Sequence, residues 1–191
     1  GALNDLGRHR EAADLHRQTL TDSERILGPD HPGTLASRNN LAGALNDLGR
    51  HREAADLHRQ TLTDSERILG PDHPDTLTSR NNLASTLNKL GRHQEAADLH
   101  QQNLTTRENT LGPDHPDTLT SRNNLASALN KLGRHQEAAD LLRQNLTARE
   151  RILGPDHPDT LTSRNNLAAA EAALRADRSP RGWRLWRRDG R

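Results

Sequence analysis

Across residues 75–91, DTLTSRNNLASTLNKLG, apolar side chains stand at Leu77, Leu83, Ala84, Leu87 and Leu90, spacings that lay them along one stripe of a helix. Pro74 suits the first helical turn, where its missing N–H removes no bond, and Asp72, Asp75 and Thr76 occupy the places of caps and dipole-matching acids. Gly91 is the expected stop. Residues 92–111 then predict a second helix with Ala96, Ala97, Leu99, Leu104 and Leu111 as its apolar face, ending at Gly112 and Pro113. The unit is a helix pair.

The pair recurs. Residues 1–32 are identical to residues 43–74, and RILGPDHPDTLTSRNNLA stands both at 67–84 and at 151–168. The five residues GPDHP recur every 42 positions, at Gly28–Pro32, Gly70–Pro74, Gly112–Pro116 and Gly154–Pro158. Gly leaves one helix, Pro forbids its continuation, and Asp-His-Pro opens the next, so GPDHP reads as the hinge between units. A period of this length marks an array in which each unit buries its apolar face on its neighbours. The expected organisation is a truncated first repeat (1–32), repeats at 33–74, 75–116 and 117–158, a terminal helix (159–178) and a tail (179–191).

Composition narrows the core. Only 30% of the 191 residues are hydrophobic and Cys, Met, Phe and Tyr are absent, so the interior must be built from Leu and Ala. Without cysteine there is no disulfide, thiolate metal site or cysteine nucleophile, which fits a reducing, cytoplasmic setting. No apolar run approaches the ~20 residues that span a bilayer, and no signal peptide is present, so no membrane role is expected. The formal charge of +1 hides an asymmetry. The last thirteen residues, SPRGWRLWRRDGR, hold both tryptophans, five arginines and one acid; 22 of the 27 basic and 25 of the 26 acidic residues remain in the body, near −3. That body is not a nucleic-acid-binding surface.

All eleven histidines fall in three columns: His9, His51, His93 and His135; His16, His58 and His100; and His31, His73, His115 and His157 in the hinges. The columns are separated by whole repeats and lack the convergent three or four ligands that zinc requires, so no metal and no cofactor is expected. Histidines standing in for aromatic packing residues is the plainer reading. No Ser/His/acid set, paired-carboxylate cleft or Gly-rich phosphate loop stands out, and a catalytic set drawn from the repeat would be present several times over. A binding surface gains from multiplication, because a long ligand meets the same contact in each unit. The expected activity is therefore non-enzymatic.

The helix pair with Ala at its crossing resembles the tetratricopeptide repeat, and NNLA, LG and EA followed by LGPDHPDT are most similar to the 42-residue variant of kinesin light chains and many bacterial proteins. The resemblance covers residues 1 to about 174, with Leu83-Ala84, Gly91 and Ala96 at family spacing. It implies an all-α, right-handed superhelical solenoid of antiparallel helix pairs. The family's usual aromatics are replaced by Leu87, His93 and His100, and its first-helix tryptophan by Arg80, whose counterparts are Arg38, Arg122 and Arg164; inside and outside placements of these arginines both remain open.

In this family the first helices line a concave groove. Its groove positions carry over to Asn81, Asn82, Ser85, Asn88 and Lys89, to Asn123, Asn124, Ser127, Asn130 and Lys131, to Asn39, Asn40, Gly43, Asn46 and Asp47, and to Asn165 and Asn166. An Asn amide both donates and accepts, so a row of them can serve an extended peptide backbone; the alternative is amides solvated or bonded within the array. Asp47 breaks the Lys89 and Lys131 column. The resemblance implies a protein- or peptide-binding scaffold of a bacterial regulatory protein. A self-associating array stacked head to tail is the alternative, since GALNDL begins inside a first helix and residues 161–174 lack a second-helix partner; the tail could cover that end.

Overall fold

The computed structural model describes residues 8–178, so GALNDL and the tail with both tryptophans lie outside the described residues. The chain divides into two compact units, Gly1–Pro113 and Asp114–Arg191. Among the described residues there are eight helices and no strand. The first unit holds α1 (His9–Leu27), α2 (Pro32–Asp47), α3 (His51–Leu69), α4 (Pro74–Lys89) and α5 (His93–Leu111). The second holds α6 (Pro116–Lys131), α7 (His135–Leu153) and α8 (Pro158–Arg178). Within the first unit each helix packs on the next, and α2 also touches α4; within the second, α7 packs on both α6 and α8.

Two local devices punctuate the chain. Inside a pair, Gly91 takes φ +77°, its N–H bonds the Asn88 carbonyl at 3.2 Å and the Arg92 N–H bonds the Leu87 carbonyl at 2.9 Å, so the first helix closes in a Schellman turn. Between pairs, Gly70 at φ +95° ends α3, and the chain enters α4 through His73 and Pro74. The His73 imidazole accepts the backbone N–H of Asp75 and is the N-cap, while Asp75 lies in the first turn as a dipole-matching acid. The cap is thus the histidine of the hinge and not the neighbouring Asp72 or Thr76.

The core is aliphatic, as the composition requires. Ala55, Leu62, Leu83, Ala84, Leu87 and Ala96 form one buried cluster in the first unit, with Leu90 and Leu99 packed against it, and Leu41, Ala42, Leu45 and Ala54 form another. Leu111 departs from its expected place and is exposed. The second helix of each pair runs 19 residues against 16 for the first.

The arginine column lies inside, except at its end. Arg38, Arg80 and Arg122 are buried and Arg164 is exposed. Arg38 donates to Asp64 at 2.7 Å, and Arg80 donates to Glu66 at 2.8 Å and to the Asn103 carbonyl at 3.2 Å. A planar guanidinium fills the slot of a missing ring while its stem packs among leucines, provided that its charge finds an acceptor. Arg164 reaches Glu150 at 2.8 Å from a solvated position.

Candidate functional site

Most of the expected groove residues line two hollows, one in each unit, while Asn81, Asn88, Asn124 and Asn165 line neither. In the first unit, α2 supplies Asn39, Asn40, Gly43, Asn46 and Asp47, and α4 supplies Asn82, Ser85 and Lys89, around a hollow of about 460 Å3. His16 from α1 and His58 from α3 form its floor. In the second unit, Asn123, Ser127, Asn130 and Lys131 of α6 face Asn166 and Ala169 of α8 across about 360 Å3, floored by Leu142 of α7. Because i, i+3, i+4 and i+7 share one helix face, these positions look out from the side opposite the leucine stripe.

The groove side chains divide into two populations. One is bonded into the fold: Asn39 donates to Ser79 at 2.9 Å and accepts from His58 Nδ1 at 3.1 Å, while Asn46 donates to Thr86 at 2.7 Å. A His–Asn clasp closes each pair at the same distance, with Nδ1 of His51, His93 and His135 standing 3.1 Å from Oδ1 of Asn46, Asn88 and Asn130. Asn81 and Asn124 also have partners within the protein. In the second unit Asn166 donates to Asn123 at 3.0 Å. The other population faces solvent: Asn40, Ser85, Lys89, Ser127, Lys131 and Asn165 are exposed, and Asn82 is half-buried on the hollow wall.

Bonding does not exhaust an amide. An Asn has two N–H donors and a carbonyl with two lone pairs, so Asn123 keeps its NH2 and Asn166 its carbonyl for a ligand. His58 is buried, and burial, with a smaller repulsion from Lys89, pushes its imidazole down to about 4. At neutral pH the His58 ring is thus uncharged and donates to Asn39, and Lys89 and Asp47 stand at the rim of the hollow.

Reading the groove from first helices alone missed the floor, which the second helices contribute through His16, His58 and Leu142. The 42-residue histidine column, broken at Leu142, was the available signal. The hinge histidines cap helices, and among the described residues no three His, Asp or Glu side chains converge to hold a metal ion.

One family model described as tetratricopeptide repeat matches residues 78–149 and 121–178, and a second with that description matches residues 1–33 and 34–75. The chain belongs to the tetratricopeptide repeat family. Among solved structures it is similar to a Podosopora anserina protein assigned as a kinesin light chain with nearly identical TPR-like repeats, at 32% identity over 92% of this chain and 83% of that one, with a TM-score of 0.83. A single-substitution variant of that protein matches at 32% identity, over 92% and 82% of the two chains, with a TM-score of 0.84. BtubC (BKLC) from P. vanneervenii shares the fold at 22% identity, over 90% of this chain and 68% of its own, with a TM-score of 0.77. No curated protein matches the sequence. Tetratricopeptide repeats are protein-interaction scaffolds as a class, and neither matching model describes a catalytic family. No helix among the described residues is long and apolar enough to cross a membrane.

Proposed function

We propose that this tetratricopeptide array is a non-enzymatic scaffold that holds an extended peptide segment of a partner protein along its first helices, as the recognition arm of a larger regulatory protein of bacterial type. The observation that carries the reading is the hollow between α2 and α4, where Asn40, Asn82, Ser85 and Lys89 stand on a framework held rigid by Asn39 and Asn46. Asn40 and Asn82 offer both donors and acceptors to peptide N–H and C=O groups from a backbone that the bonded Asn39 and Asn46 hold in place, and Lys89 favours an acidic residue nearby. The test is panning of a phage-displayed random dodecapeptide library on the intact chain. The best peptide is then titrated against a variant carrying Asn40→Ala, Asn82→Ala and Lys89→Ala. Each lost hydrogen bond removes roughly 0.5–1.5 kcal/mol of binding with the thermal melt unchanged; equal affinity of the triple variant removes the groove.

Ile152, Leu153 and Leu161 are exposed apolar side chains on α7 and α8, and they support a second reading in which copies stack through that surface. The triple variant separates the two, because stacking survives it. Sedimentation velocity over a hundredfold dilution reads the stacking directly.

A further inference from the structure

Two columns of the repeat change independently. One reads Ser23, Ser65, Arg107 and Arg149 on the second helices, and the other reads Gly33, Asp75, Asp117 and Asp159 in the first turns of the first helices. In the second unit the two columns meet: Arg149 of α7 donates from Nη1 to the Asp159 carbonyl at 2.8 Å and to Ser163 Oγ at 3.1 Å. The equivalent corner of the first unit is formed by Ser65, Asp75 and Ser79, so a serine stands where the arginine would be. These three residues line a hollow of about 200 Å3 between α2 and α4, whose rim includes exposed Pro32, Ala36 and Thr78. Of the four junctions in the sequence, this is the one that keeps the acid while lacking the arginine.

We propose that this hollow is a subsite for an arginine side chain of the bound peptide, which brings the guanidinium that the chain supplies to itself in the second unit. The inference rests on the peptide-groove reading above and deepens it, since Asn39, Asn40 and Asn82 line both this hollow and the larger one beside it. The arginine stem lies over exposed Pro32 and Ala36 and half-buried Leu69, and its head pairs with the Asp75 carboxylate, whose side chain is 69% exposed. Asp75 is the charged group among the residues that line the hollow. His73 does not neutralise it: the ring Nδ1 stands 3.8 Å from the carboxylate but accepts the Asp75 backbone N–H, so that nitrogen carries no proton. A guanidinium, with several donors in one plane, suits a corner where a single nitrogen of Arg149 serves two acceptors in the second unit. Asp75 and Lys89 lie fourteen residues apart on one face of α4. That is ~21 Å at the helical rise, so an acid seated at Lys89 stands about six residues from the arginine along an extended segment.

The experiment pans the same dodecapeptide library on the intact chain, on Ser65→Arg, which fills the hollow from within as Arg149 does, and on Asp75→Asn. The intact chain should select peptides with a fixed arginine about six residues from an acid. Ser65→Arg should still select peptides but without that arginine. By calorimetry the parent peptide should bind Ser65→Arg about tenfold more weakly and Asp75→Asn about threefold more weakly, the smaller loss reflecting an exposed carboxylate. A peptide in which the arginine is replaced by alanine should bind all three chains alike, which a disturbance of the fold would not produce. Asp75 is exposed, so Asp75→Asn decides the matter even where Ser65→Arg fails to fold. Selected peptides that carry no fixed arginine, that take lysine as readily, or whose arginine contributes as much on either folded variant as on the intact chain overturn the subsite while leaving the groove intact. Recovery of no peptide on the intact chain overturns both.

Discussion

The Nδ1 atom of His73 accepts the backbone N–H of Asp75 at 3.1 Å, so a histidine does the work more often given to Ser, Thr, Asp or Asn at the head of a helix. The bond is repeated at His31 to Gly33 (3.0 Å), His115 to Asp117 (3.2 Å) and His157 to Asp159 (3.2 Å). Each hinge thus supplies its own cap two residues before the first free N–H. Replacing His73 by Ala should lower stability by about 1 kcal/mol, whereas Asn, which presents an oxygen from a shorter side chain, should recover most of it. Urea denaturation of the two variants measures the difference; equal midpoints would show that the imidazole contributes nothing as a cap.

A second prediction concerns acid. Burial holds the His58 imidazole at about 4 against an ordinary 6.5, so the charged form is disfavoured in the fold and the unfolded chain binds more protons below 6.5. This contribution to stability is complete above pH 6.5 and is lost progressively as pH falls from there toward 4. Between pH 7.5 and 5.5 the loss is about 1 kcal/mol, rising to roughly 3 kcal/mol at the bottom of the window. His58→Leu should flatten the difference between the two pH values in chemical denaturation. A wild-type midpoint that holds or rises at pH 5.5 would reject the buried, neutral ring.

The helix pairs, their boundaries within a residue or two, and the Leu–Ala core were legible because they rest on local periodicity and on Gly and Pro, which act within a few residues. Arg38 and Arg80 were not. Whether an arginine stands inside depends on acids 14 to 26 residues away, Asp64 and Glu66, whose reach no local pattern encodes. The repeats themselves held a partial clue: Thr61 and Asp64 become Asn103 and Thr106 one period later, so where the acid of one column disappears an amide enters the other. Asn103 is the residue that bonds Arg80. The groove was half legible, since first-helix amides are visible in sequence, but which of them the fold itself consumes depends on Ser79, Thr86 and His58 from other helices.

That arrangement makes the Arg38–Asp64 pair testable. Arg38 is almost fully buried while Asp64 keeps 22% of its side chain exposed, so removing the acid leaves a poorly solvated cation with only Glu24, at 3.6 Å, as its counter-ion. Asp64→Ala should cost about 1.5–3 kcal/mol, the range for hydrogen bonds to charged groups. Adding Arg38→Met to it should restore part of the loss, because a buried charge held only by the more distant Glu24 is then exchanged for a packed apolar chain. A double-mutant cycle by urea denaturation measures the coupling. Strict additivity of the two substitutions would mean that the pair is incidental.

The last prediction sets two asparagines of one column against each other. Asn103 in α5 is buried and bonded at both ends of its amide: its Nδ2 donates to the Leu77 carbonyl at 2.8 Å and its Oδ1 accepts from Arg80. Asn145, one period later in α7, is completely buried, and neither its Nδ2 nor its Oδ1 has a hydrogen-bond partner. A buried amide without partners loses its hydration and gains nothing, while the same amide in a network anchors a helix to its neighbour. Leucine is close to asparagine in length and carries no such requirement. Asn145→Leu should therefore raise stability by about 1–3 kcal/mol, and Asn103→Leu should lower it by a similar amount, since it deprives both Arg80 and the Leu77 carbonyl. Thermal and urea unfolding of the two single variants gives opposite signs if the hydrogen bonds decide the outcome. Two destabilised variants would show instead that shape at this column outweighs the unmet polarity of Asn145.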